Sequence, residues 1–157
     1  MPTRQKELPE GRVYEKRFFG RLGAVHRPKF VARRTSFCKT VGLYKQKGWD
    51  TEPRTVYAKA LLAEVRTHFT RSLASKIGLY CSLGTPLDYW HGIDGFIELE
   101  RSIVTLDLTT REDKMEVKAD ILVPEAIFSD PEKFVAKAKE IADRLKINHD
   151  YNILAYD

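Results

Sequence analysis

Two aspartates dominate the chemistry open to this chain of 157 residues: Asp94, which begins DGFIEL, and Asp107 in SIVTLDL. If Glu100 and Arg101 form a two-residue turn, Leu99 pairs with Ser102 and, counting back, Asp94 stands opposite Asp107. Directly opposed residues of a hairpin have Cβ atoms about 5 Å apart, and like charges there destabilise a sheet by up to about 1 kcal/mol. A divalent cation relieves that repulsion. Mg²⁺ (or Mn²⁺) commonly takes one or two protein carboxylates and completes its shell with water and substrate phosphate. The alternative is a longer turn, because Glu-Arg lacks the Asn-Gly or Asp-Gly signal that fixes loop length; the register would shift and leave each aspartate solvated at a strand end. In the next run Glu116, Lys118 and Asp120 alternate with Val117, Ala119 and Ile121, so one face of that segment is charged. His91, three residues before Asp94 in YWHGID, is placed either to orient substrate or water or to pack as a loop residue beside Trp90.

No rival chemistry has comparable support. The histidines at 26, 68, 91 and 149 and the cysteines at 38 and 81 are too scattered for a zinc site, and the chain contains neither a P-loop nor a Gly-rich dinucleotide fingerprint.

The elements that must position these residues follow from periodicity. From Val56 to Ile77 there is no Gly or Pro, and Leu61, Leu62, Val65, Phe69, Leu73 and Ile77 recur at three- and four-residue steps, which predicts an amphipathic helix with Glu64, His68 and Arg71 on a flanking stripe. Three strand-like runs follow at 94–99, 102–108 and 115–123. On the first two, Gly95, Ile97, Leu99, Ser102, Val104, Leu106 and Leu108 form the face suited to burial. Ser129 and Glu132 make a capping-box spacing around Pro131 and open a second helix over 129–146, and YNILAY at 151–156 reads as a returning strand. The pattern predicts an α+β (α/β) fold: a central mixed sheet with an α-β-β-β-α-β core flanked by helices.

Charge divides the chain. The formal net charge is +5, yet residues 1–55 hold 14 basic against 5 acidic side chains, net +9, and residues 56–157 hold 13 against 17, net −4. A basic N-terminal arm (1–55) on a mildly acidic body (56–157) is the asymmetry expected when one part meets a polyanion. The arm, broken by glycines and prolines, reads as short strands and loops. Aromatic rings lie between its cations, so they either stack on a ligand or serve as core. Arg12, Lys16, Arg17, Arg21, Lys29, Arg33, Arg34 and Lys39 are its candidate phosphate contacts. No apolar run approaches the length of a bilayer span, and MPTRQKELPEG lacks the order of a signal peptide, so a soluble, intracellular (cytoplasmic) protein with two reduced thiols is expected.

With an Asp on one strand and a carboxylate followed two residues later by Lys on the next, residues 56–157 resemble the core of the PD-(D/E)xK, or restriction-endonuclease-like, nucleases. Two mappings stand. In the first, Asp94 is the motif aspartate and Asp107 the motif acid; Thr109 then holds the lysine's place, and Lys118, in preference to Lys114, supplies the cation. In the second, Asp107 is the aspartate and Glu116-Val117-Lys118 supplies the intact E-x-K. No proline precedes either aspartate. The resemblance implies that Asp94 and Asp107, joined by Glu64 on the leading helix, hold Mg²⁺ (or Mn²⁺), and that the lysine orients a water or stabilises charge on the phosphate. It further implies hydrolysis of phosphodiester bonds, DNA being favoured over RNA, with a homodimer as one arrangement. Thr109 in place of lysine leaves open a nucleic-acid-binding or assembly protein that shares the fold without cutting, or an RNA-binding, ribosome-associated protein.

Overall fold

A computed structural model describes residues 10–20, 53–83, 85–111, 113 and 117–156. The elements are α1 (Glu10–Phe19), α2 (Val56–Arg66), α3 (Arg71–Ala74), β1 (Ile77–Cys81), α4 (Pro86–His91), β2 (Gly95–Leu99), β3 (Ser102–Thr109), β4 (Ile121–Pro124), a 3₁₀ turn (Glu125–Ser129) and α5 (Pro131–Tyr156). Among the described residues, four strands form one sheet in the order β1-β2-β3-β4. The first two pairings are antiparallel and β3 with β4 is parallel, so the fold is α+β around a mixed sheet, as expected.

The hairpin has the short turn. Leu99 pairs with Ser102 and the register runs back to Gly95 opposite Leu106. Glu100 takes up the reversal with a φ of 55°. Ile97, Leu99, Val104, Leu106 and Leu108 point into the main core with Leu61, Leu62 and Val65 of α2 and Ala138, Ile141, Ala142 and Leu145 of α5. The opposite face is covered as well: Phe96 packs with Leu87, Ile93 and Ala119, flanked by Tyr80 and Ile103.

Several expectations are corrected. The helix that starts at Val56 ends at Arg66, although neither Gly nor Pro stops it. Thr67 Oγ1 donates to the Glu64 carbonyl at 2.6 Å, and the N–H groups of His68 and Phe69 reach back only three residues, to Val65 and Arg66. This tightened turn ends the helix through local side-chain bonding. Ile77, assigned to that helix by its spacing, opens β1 instead. Among the described residues of the run 115–123, the strand begins at Ile121 and continues to Pro124; Lys118 and Asp120 precede it in a loop, so their alternation does not mark a strand face. The segment 151–156 continues α5 rather than returning to the sheet. Nothing between Lys146 and Tyr151 breaks a helix, and Asn148 Nδ2 donates to the Ile103 carbonyl at 3.0 Å, holding that stretch against β3. The helix is capped one residue later than the capping-box spacing suggests: Asp130 Oδ1 accepts from Glu132 N–H at 3.1 Å and Lys133 N–H at 3.2 Å.

The basic segment differs most from its expectation. Residues 10–19 are a helix, not strands and loops. Tyr14 and Phe18 are fully buried. The Tyr14 hydroxyl donates to the Val123 carbonyl at 3.0 Å, and Thr55 Oγ1 both donates to the Phe18 carbonyl and accepts from Ala58 N–H, linking the end of α1 to the start of α2. Tyr14, Phe18, Tyr57 and Phe134 gather around Phe128, with Tyr57 stacked on it at a centroid distance of 4.1 Å. For Tyr14 and Phe18, therefore, the rings are core.

Candidate functional site

The chain enters β2 through a buried polar clamp. Ser82, fully buried, donates its hydroxyl to the Ile93 carbonyl at 2.6 Å and its N–H to the Asp94 carbonyl at 2.9 Å. Thr85 Oγ1 donates to the Ser82 carbonyl at 2.7 Å and accepts from Leu87 N–H at 3.2 Å, capping α4. That helix ends at Gly92, whose φ of 63° carries the chain back towards the sheet in a conformation that costs a side chain roughly 1 kcal/mol or more. These bonds fix the backbone of residues 92–94 before β2 begins.

Asp94 sits where the ladder is locally offset. Its N–H donates at 3.0 Å to the Leu106 carbonyl, although Leu106 lies opposite Gly95 in the register. Two residues facing one is the pattern of a β-bulge, which re-aims a side chain at the end of a strand. The Asp94 carboxylate consequently accepts from Leu108 N–H, Oδ2 to N 2.8 Å. Gly95 is needed beside it: a Cβ there would stand 2.5 Å from Phe19 Cζ and 2.8 Å from the Tyr80 carbonyl oxygen. Asp107 lies one position beyond the last register pair, and both aspartates are buried, at 6% and 4% exposure.

Burial and neighbouring acids both act on Asp94. Burial pushes the Asp94 carboxyl up to about 9, and the charge of Asp88 acts in the same direction. The Leu108 N–H opposes this by stabilising the ionised form, while Asp107 and Glu15 add further to the rise. Among the described residues no three His, Cys, Asp or Glu side chains converge to hold an ion by themselves.

The other expected residues fall in different places. Thr109 ends β3, is buried, and its hydroxyl accepts from Arg111 N–H at 3.0 Å, closing a turn. His91 is the last residue of α4. Lys118 lies in the loop before β4 with its stem against Gly92. Glu64 is near the end of α2, a helix packed on α5 and β1, and is not among the charges that act on Asp94. The acidic groups that do act on it, Asp88 of α4 and Glu15 of α1, were not singled out from the sequence. Glu15 is delivered by a helix far away along the chain, and Asp88 by the short helix whose turn at Gly92 folds it back beside β2. Lys114 and Glu116 lie outside the described residues, as do Arg21, Lys29, Arg33, Arg34 and Lys39. Of the remaining basic candidates, Arg12, Lys16 and Arg17 share α1, and Arg17 Nη1 pairs with Glu125 Oε1 at 2.9 Å. Compared with family models, with curated proteins and with solved structures, the chain matches none.

Proposed function

We propose that this protein is a metal-dependent nuclease that hydrolyses phosphodiester bonds in DNA, with Asp94 and Asp107 as its metal carboxylates. The observation that carries the reading is the pair itself: two buried aspartates at the open end of the β2–β3 hairpin, one of them bulged out of register and strongly proton-retaining. Burying like charges side by side costs stability, and a cation offsets that cost. When bound there, Mg²⁺ or Mn²⁺ polarises the phosphate and lowers the pKa of a coordinated water.

The residues of the chain have separate tasks. Asp94, in its ionised form, and Asp107 would hold that cation. The Leu108 N–H keeps the Asp94 carboxylate in one orientation, and the Ser82 clamp fixes the backbone behind it. Lys118, in the loop before β4, and His91, at the end of α4, are the side chains suited to phosphate and water. The basic residues of the first 55 positions supply the non-specific attraction for the duplex. DNA is the substrate favoured over RNA, and a homodimer of soluble, intracellular subunits is the form in which such an enzyme cuts both strands.

The test is direct: plasmid, single-stranded and branched DNA are incubated with the full chain and Mg²⁺ or Mn²⁺. The reading predicts metal-dependent cleavage that Asp107→Ala abolishes; cleavage by Asp107→Ala at the wild-type rate contradicts it. Thr109 supports a second reading. Its hydroxyl closes a turn in the place where the resembling nucleases carry lysine, which favours a protein that binds nucleic acid without cutting it. Such a protein keeps its affinity in EDTA and loses it steeply with salt.

A further inference from the structure

The parallel strands β3 and β4 end side by side, Thr109 opposite Pro124, and an open cleft of about 580 Å³ lies beyond them. Neither Asp94 nor Asp107 lines it. The crevice outside the carboxyl ends of parallel strands is a common place for an open sheet to take a ligand, and the volume is that of a small-molecule site. Thr110, just after β3, and Glu125 and Ser129 of the 3₁₀ turn line one part of the cleft. Val13 and Arg17 line another; they form a stripe of α1 beside the one by which Tyr14 and Phe18 enter the core. Tyr57 also lines it, its ring held by the stack on Phe128. Arg17 Nη1 meets Glu125 Oε1 at 2.9 Å, and among the described residues neither side chain makes another hydrogen bond or ion pair. Both are accessible, Arg17 more than Glu125. A simple anion placed there meets the charge of Glu125, and a simple cation that of Arg17. A guanidinium and a carboxylate side by side instead suit a neutral ligand with an acceptor next to a donor, which is what the edge of a nucleobase presents.

We infer that this cleft takes one unpaired nucleobase, stacked against Tyr57, with Arg17 donating to the acceptor on its edge and Glu125 accepting from the donor beside it. The hydroxyls of Thr110 and Ser129 are the groups suited to the sugar. Arg17 thereby contacts a base, beyond the general attraction that its charge supplies. The choice of a nucleobase as occupant rests on the nucleic-acid reading above, but it depends on neither metal nor cutting, so free nucleosides test it.

The probes are adenosine, guanosine, cytidine and thymidine, which carry no phosphate, titrated into the isotope-labelled full chain in EDTA and followed through its amide chemical shifts. At least one is expected to bind saturably, with the shifted amides centred on Val13, Thr110, Ala126 and Ser129. Arg17→Ala and Glu125→Gln are each expected to weaken that nucleoside roughly tenfold, the effect of one lost hydrogen bond to a charged group. The urea midpoint of either variant is expected to move little, since an exposed ion pair contributes little stability. Tyr57→Phe is expected to keep most of the affinity and Tyr57→Leu to lose it several-fold, which separates stacking on a ring from the mere filling of the wall. Lys139→Ala, which removes a cation from α5, is expected to leave binding unchanged. No binding of any nucleoside, shifts centred elsewhere, or wild-type affinity in both Arg17→Ala and Glu125→Gln overturns the inference. So does binding of nucleoside monophosphates alone, weakened steeply by salt, because that is attraction for phosphate and not recognition of an edge. Nucleoside binding without cleavage of DNA under Mg²⁺ or Mn²⁺ leaves the cleft standing and removes the nuclease reading; cleavage without nucleoside binding does the reverse.

Discussion

Asp94 is buried immediately before β2, where its surroundings oppose its ionisation. Its carboxyl is held well above the ordinary aspartate range by burial and by the charges of Asp88, Asp107 and Glu15, against the pull of the Leu108 N–H. An unfolded aspartate titrates near pH 4, so between about pH 4 and pH 9 the folded, ion-free chain binds more protons than the unfolded one, and stability falls as pH rises through that window. Urea denaturation in EDTA is expected to show this decline, and saturating Mg²⁺ is expected to flatten it. Asp94→Asn keeps the acceptor for Leu108 N–H and removes the charge. It is predicted to raise stability in EDTA at pH 8 by about 1–3 kcal/mol, measured as a higher urea midpoint, while abolishing cleavage. The register from Leu99–Ser102 back to Gly95–Leu106 was legible in the sequence because strand residues repeat every two positions and a two-residue turn fixes the count, but the offset that turns Asp94 to Leu106 and Leu108 was not. Asp88, Glu15 and the Ser82 clamp were not legible, because tertiary packing, not spacing, brings them to Asp94.

At the scale of elements, the same distinction explains which parts of the fold the sequence revealed. The β2–β3 hairpin and the long helix α5 follow from local pattern, and both are present. The stretch from Thr67 to Ile77 misleads because its apolar spacing of three and four continues through a turn, a short helix and the first residue of a strand. Phe69 and Leu73 still pack against the core, but as side chains of a connection. The basic segment misleads through composition: its glycines and charges suggest loops, whereas Tyr14 and Phe18 show that α1 completes the core. Phe18→Ala is therefore expected to destabilise the protein by about 3–5 kcal/mol, read from the urea midpoint, as deletion of a fully buried ring does. A helix that merely extended into solvent would lose nothing measurable. Gly95→Ala is expected to cost about 1–3 kcal/mol, because its methyl group meets Phe19 and the immovable Tyr80 carbonyl. In that variant α1 or the start of β2 must give way, so metal-dependent cleavage is expected to fall further than the loss of folded protein alone explains.

For the molecule as a whole, the net charge of +5 is the sum of a basic first third and an acidic remainder. Of the described residues in the first third, those of α1 bring both cations and two core aromatics to the sheet. Among the described residues no helix is long and apolar enough to cross a membrane. DNA affinity in EDTA is expected to drop by orders of magnitude as salt rises from low to physiological concentration, and an affinity insensitive to salt argues against the phosphate contacts proposed for the basic residues. The central claim is that Asp94 and Asp107 share a cation. Crystals soaked in Mn²⁺ and measured for anomalous scattering test it most directly. A peak in contact with both carboxylates, lost in Asp94→Asn, is expected; an anomalous map with no peak between the two side chains at saturating Mn²⁺ rules out a shared cation.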